Sequence, residues 1–286
     1  MQKVQKETVG AYGYVTADWK EKDLPLDLWL EWTLQLFDRV VLALYDDVKL
    51  PNGFGRNPRL KTLRMRQPLI TSFRFSTEGK AAAQKALNTD WKMLIDVDWF
   101  LPCRLDTSRL NKKYAYPIRY RHLYGNANTE IRDAMPKYQW VIHHTDRPVL
   151  VDGSNVGPPY FLGIDIRTIY KMFGRNMHSV IPPVSVIPPV AFDVWHTGTT
   201  RNPQSLNKKW RLQKEREIRN GITYCMKFLE TIQEMGSRFD FKEYKTIWPK
   251  SYLTHVQDSE LPEIIRNNKK RFLWVKSWDE PGKKSH

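Results

Sequence analysis

Val40-Val41-Leu42-Ala43-Leu44-Tyr45 is a nearly continuous apolar run that stops at two acids, Asp46 and Asp47. A strand with no polar face is covered on both sides, and such strands belong to parallel sheets packed between helices. The flanking segments agree. Val9–Val15 is an apolar and aromatic strand, and Pro25 opens a helix that can lay Leu26, Leu28, Trp29, Trp32, Leu34 and Phe37 onto a sheet. A basic loop follows, then a third strand over residues 69–75, an alanine-rich helix over 78–87 and a fourth strand over 92–95. The order β-α-β-loop-β-α-β predicts an α/β fold: an open, mostly parallel sheet flanked by helices, with ligands collecting at the carboxyl ends of its strands.

That fourth strand delivers Asp96-Val97-Asp98. On a strand, residues two apart point to one side, so both carboxylates would face one place. Two such charges repel unless a cation offsets them, and hard oxygen ligands suit Mg²⁺ or Mn²⁺. A metal-diphosphate site is one reading; the other is that the two aspartates begin a turn before Pro102.

Bulk properties narrow the partners. The 286 residues carry 46 Lys and Arg against 31 Asp and Glu, a formal charge of +15, which favours polyanions. Cys103 and Cys225 lack metal-ligand spacing, so neither a disulfide framework nor a zinc site is indicated. The first seven residues are polar, without the apolar core of a signal peptide, and no run reaches the length of a membrane span. The expected location is cytoplasmic.

The second half is less regular. A Gly/Pro-rich stretch covers residues 151–163, and a hexapeptide at 179–184 is repeated at 185–190, where paired prolines force extended backbone. Residues 205–235 turn helical in pattern: Ser205 can cap, Leu206, Trp210, Ile218, Ile222, Met226, Leu229 and Ile232 can form an inner face, and Gly236 stops the run. Two parts are expected: a catalytic domain over 1–204 and a basic, aromatic-rich helical extension over 205–286.

Residues 10–47 and 82–98 resemble the opening half of a family-2-like glycosyltransferase of the GT-A fold: a strand, a loop and helix over the donor nucleotide, a second strand ending in acid, then Asp-x-Asp. Trp195-His196-Thr197-Gly198, followed by Arg201, Pro203 and Lys208 or Lys209, resembles the late His-x-Gly-x-x-Arg-x-Pro segment of some of these enzymes. The resemblance spans roughly residues 8–210. It implies a nucleotide-sugar donor, a UDP-sugar first, and Mn²⁺ or Mg²⁺ held by Asp98, by Asp96 directly or through water, and by His196. Asp46 or Asp47 would bind ribose or base, and Arg201 with Lys208 or Lys209 would neutralise phosphate charge. An inverting mechanism, also implied, needs an acceptor-side base, for which Asp152 is the first candidate and Asp146 the second. Where the family often has Arg-Asn-Glu after the first strand, this chain has Thr16-Ala17-Asp18-Trp19.

Basic residues cluster over 56–74, 104–121, 208–219 and 266–276, and 11 Trp are available for stacking. The leading acceptor is therefore DNA carrying a hydroxylated base, extruded for reaction. Alternatives are glycan assembly at a membrane face, a nucleotidyltransferase with its own Mg²⁺-binding aspartates, and a non-catalytic nucleic-acid binder.

Overall fold

The computed structural model describes residues 7–16, 25–45, 48–66, 74–131, 138–147, 149–152, 155–157, 160–161, 164–165, 190–199, 238–240, 245–247 and 253–272. The chain divides into two units. One comprises Met1–Ala17, Leu26–Tyr120 and Pro136–Val194; the other comprises Asp18–Pro25, Arg121–Met135 and Trp195–His286.

In the first unit, β1 (Val9–Val15), α1 (Leu26–Leu36), β2 (Arg39–Tyr45), β3 (Leu60–Met65), α2 (Arg74–Ala86) and β4 (Trp91–Leu94) follow in order. After β5 (Trp99–Phe100) come β6 (Tyr116–Tyr124), which belongs here as far as Tyr120, and β8 (Tyr138–His144). Between those two strands in sequence lies β7 (Asn126–Ile131) of the other unit. The sheet of the first unit runs β3-β2-β1-β4-β8-β6. Its β3, β2, β1 and β4 are parallel, and β8 and β6 continue it antiparallel. This is the expected α/β architecture, an open, mostly parallel sheet flanked by helices.

The parallel half is dry. Tyr12, Val40, Leu42, Ala43, Trp91 and Met93 are buried, α1 adds Leu26, Trp29 and Leu30 to the core, and α2 lies against β1 and β2. Close packing of strands fixes one glycine: a Cβ on Gly13 would overlap the carbonyl oxygen of Ile95, the residue before Asp96. Any larger side chain there must push the acidic turn outward.

Two expectations change. The third strand is Leu60–Met65, inside the stretch expected as a basic loop, and residues 74 and 75, expected as strand, already lie in α2. Residues 67–73 lie outside the described residues. The first unit also carries two small antiparallel pairs, β9 (Leu150–Asp152) with β10 (Asn155–Gly157) and β11 (Tyr160–Phe161) with β12 (Ile164–Asp165).

In the second unit, residues 121–124 of β6 belong with β7, which pairs antiparallel with β16 (Leu253–His255). Residues 195–199 of β13 (Asp193–Thr199) belong here too, as do β14 (Arg238–Asp240) and β15 (Lys245–Ile247), which pair with each other, and the short helix α3 (Glu263–Asn267). Arg121 organises this unit. Its guanidinium lies 4.1 Å from the Trp195 ring centre, and it bonds Glu130 at 2.6 and 3.0 Å and Glu260 at 3.0 Å. The helical pattern over 205–235 and the tandem hexapeptide lie outside the described residues. No helix among the described residues is long and apolar enough to cross a membrane.

Candidate active site

Because β1, β2 and β4 are parallel, their carboxyl ends emerge on one side, and the last residues of each gather there. Tyr14 on β1 packs edge-on to Tyr45 on β2, ring centres 6.2 Å apart. Burial and the nearby Glu78 carboxylate push the Tyr45 hydroxyl up to about 12, against a hydrogen bond from the Gly79 backbone. Gly79 is needed at that point of α2, since a Cβ there would stand 2.7 Å from the Tyr45 hydroxyl oxygen. The next residue of the helix is Lys80.

Lys80 is the principal feature that sequence reasoning missed. Its side chain is 1% exposed, and its Nζ stands 2.7 Å from Asp96 Oδ1 and 5.1 Å from the centre of the Tyr14 ring. Burying an ammonium is costly unless a carboxylate answers it, so the pair fixes both side chains. A signal was available: Lys80 is spaced i, i+3 from Ala83 and i, i+7 from Leu87 just past the helix, both buried, so this lysine falls on the inward face of α2.

Asp96 and Asp98 do not stand in the strand. β4 ends at Leu94, and the Trp99 amide bonds back to the Asp96 carbonyl at 3.1 Å, closing a turn between β4 and β5. The two carboxylates still act on one place. Tyr120, buried and hydrogen-bonded to Gln139, has its hydroxyl held well above the usual range by burial first and then by the charges of Asp96 and Asp98. Its ring meets that of Trp99 at 5.0 Å. Two carboxylates, a buried ammonium and a phenol kept neutral therefore converge at the carboxyl edge of the parallel strands.

This donor set fits a hard dication. Mg²⁺ and Mn²⁺ keep waters, take one or two protein carboxylates and complete their shell from substrate phosphates, so Asp98 with one oxygen of Asp96 suffices. Among the described residues no group of three or more His, Cys, Asp or Glu gathers to hold a metal.

Other expected residues are placed as follows. Asp46, Asp47, Arg201, Lys208 and Lys209 lie outside the described residues. Asp146 follows β8, where Thr145 N bonds Asp90 O at 2.8 Å, so it sits by the amino end of β4. The structure thus does not bring Asp146 to the aspartate pair. Asp152 ends β9, which lies against α2, the helix of Lys80. His143 and His144 part as neighbours on a strand must. His143 Nε2 lies 3.0 Å from Gln84 Nε2 and 3.5 Å from the Tyr12 hydroxyl, whereas His144 packs on the Trp91 ring at 5.2 Å.

In the second unit, His196 on β13 faces His122 on β6, Nδ1 to Nδ1 at 3.1 Å, with ring centres 4.9 Å apart. His122 carried no sequence signal, being 74 residues away in the chain.

No family model matches the chain, and no curated protein matches it. Among solved structures, residues 1–349 of S. aureus TarS align with 48% of this chain and 47% of that one, at 10% identity and a TM-score of 0.27. The alignment spans about half of either protein, and a likeness this slight carries no weight for fold or chemistry.

Proposed function

We propose that the chain is a metal-assisted glycosyltransferase that moves a sugar from a nucleotide-sugar donor, a UDP-sugar first, to an acceptor hydroxyl by inverting displacement. The observation that carries this reading is the convergence of Asp96, Asp98 and buried Lys80 where parallel strands end, the place at which open α/β sheets bind ligands. Asp98 and Asp96 would hold Mg²⁺ or Mn²⁺, which when bound supplies Lewis-acid stabilisation to the departing diphosphate. Lys80 keeps Asp96 from swinging away. Tyr120, its hydroxyl bonded to Gln139, walls the site beside the two carboxylates. Asp152 is the candidate base that takes the proton of the attacking hydroxyl. Asp46 or Asp47 is assigned to ribose or base, and Arg201 and Lys208 to phosphate. With so positive a chain, the acceptor is a polyanion, DNA bearing a hydroxylated base.

The test is nucleoside diphosphate release from a panel of sugar nucleotides with Mn²⁺ or Mg²⁺, for the protein and for Asp98→Asn. Metal-dependent release that vanishes in the variant supports the reading. Pyrophosphate in its place indicates nucleotidyl transfer, and no turnover with any donor removes the enzyme altogether.

A further inference from the structure

Between Asp47 and Glu78 the sequence contains no acid and seven cations, Lys49, Arg56, Arg59, Lys61, Arg64, Arg66 and Arg74. A basic run is ordinarily a solvated face whose flexible charges are balanced nearby. Here the fold does something else with it. The run forms β3, the end strand of the first unit's sheet, and Lys61, Arg64 and Arg66 are exposed along it. Arg56 and Arg59, on the 3₁₀ turn and loop before the strand, are exposed as well.

The arginine heads are also held. Arg64 Nη1 donates to the Val48 carbonyl at 2.7 Å, and Arg59 Nη1 donates to the Leu34 carbonyl at 3.2 Å. On the adjoining strand, exposed Arg39 donates in the same way to the Pro58 carbonyl at 2.7 Å. A carbonyl fixes a guanidinium without cancelling its charge. Ordering a long side chain normally opposes binding, so cations already ordered lose less when they meet a phosphate. The preceding turn leaves room for approach. Gly53, at φ 90°, and Gly55 have nothing within 4 Å of where a Cβ would stand.

Shape and polarity choose the polyanion. Lys61 and Arg64 stand on β3 and Arg66 follows it directly, so exposed cations run the length of the end strand. The outer backbone edge of an end strand adds N–H donors along the same line. A lipid surface asks for apolar side chains to insert, yet Val190 is the large hydrophobic side chain left exposed among the described residues, and it is not part of this strand. A linear phosphodiester fits the row of cations described on this surface.

We propose that the β3 edge, with the turn before it, is a docking track for the phosphate backbone of a nucleic acid. This names a binding surface for the acceptor of the proposed transferase, and in that sense rests on that reading, although binding itself requires no catalysis. The track is sequence-blind, contributing affinity and orientation, while base choice belongs elsewhere.

The experiment measures anisotropy of a labelled oligothymidine, and of a labelled duplex, across a salt series. It compares the full chain with Arg56→Glu/Lys61→Glu/Arg66→Glu, which spares the carbonyl-bound arginines. A control variant, Arg109→Glu/Lys113→Glu, removes exposed charge elsewhere. Circular dichroism confirms that each variant is folded. The expected result is a loss of about tenfold or more in affinity at low salt for the β3 variant. Its slope of log K against log salt should be shallower by about two, since each single-strand phosphate contact contributes about 0.7. The control should stay near the parent. An unchanged slope in the β3 variant, an equal loss in the control, or lost binding to phosphatidylserine vesicles with oligonucleotide binding intact would each overturn the proposal. Donor hydrolysis, measured in parallel, should survive in the β3 variant. Oligonucleotide binding that maps to β3 in a protein with no donor hydrolysis would sink the transferase reading and leave this one standing.

Discussion

The two ends of the parallel strands both gather acids, yet they treat them differently. At the amino ends, Asp90 Oδ2 accepts from the Thr8 amide and hydroxyl, both at 2.8 Å, while Glu7 pairs with Lys112 and accepts from Trp91 Nε1 at 2.7 Å. These bonds pull both carboxyls below their usual range, Asp90 through Thr8 first and Glu7 through Lys112 first. At the carboxyl ends, Asp96 meets the buried Lys80 ammonium, and the charges of Asp96 and Asp98 act, after burial, to hold the Tyr120 hydroxyl well above its usual range. The first cluster is closed, with local backbone and side-chain donors answering each acid. The second sets two carboxylates beside the buried Lys80 ammonium at the edge where open α/β sheets bind ligands. Acid content alone therefore does not mark a site; which end of the strand carries it does.

Substitution should separate the two ends. Asp98→Asn is expected to cut transfer by about 10²–10³-fold, whereas Asp90→Asn should leave kcat within about twofold, as read by diphosphate release. Acid gives the next largest effect, and it acts nearer the closed end. Burial, outweighing a hydrogen bond with the His144 backbone, lowers the His143 imidazole to about 4, so between pH 6.5 and that value the unfolded chain binds the proton and the folded chain does not. Stability should accordingly fall as pH drops through that window, by up to about 3 kcal/mol. Urea titrations should show this slope, and His143→Gln should flatten it. Lys80→Met leaves Asp96 without its ammonium and should cost about 2 kcal/mol, seen in denaturant midpoints, together with weaker metal-dependent turnover. Recovery of turnover in that variant at high Mn²⁺ would show that the ammonium serves placement alone. Gly13→Ala, which overlaps the Ile95 carbonyl, should lose about 1–2 kcal/mol and raise the KM for donor more than Asp90→Asn does. The smallest change is the stability of Asp90→Asn itself, about 1 kcal/mol for hydrogen bonds weakened at a carboxylate that is not deeply buried. Turnover falling equally in Asp90→Asn and Asp98→Asn would dissolve the contrast between the ends.

Much of the parallel half was legible because its strands are covered on both faces. Val9–Val15 coincides with β1, and the apolar run at 40–45 with β2, since continuous apolar character has one economical explanation in a parallel sheet. β3 was illegible for the opposite reason. Its lysine and arginine leave no dry face, so Leu60–Met65 shows neither alternation nor a run, and the more apolar residues 69–75 drew the strand assignment. At the site, the acid pair was visible as a motif, but its turn geometry was not, because an aspartate at a strand end suits a turn equally well. Lys80 was hidden by composition, since a lysine in an alanine-rich helix reads as solvated until the faces are counted. The His122–His196 contact joins residues far apart in sequence, which local periodicity cannot register.

The Lys80–Asp96 bond has one more consequence. A protein whose acidic pair relied wholly on a dication would push itself apart whenever a chelator or scarcity stripped that ion away. If the proposed ion does bind, the Lys80 ammonium on the helix would stay behind, holding Asp96 in place for the ion's return.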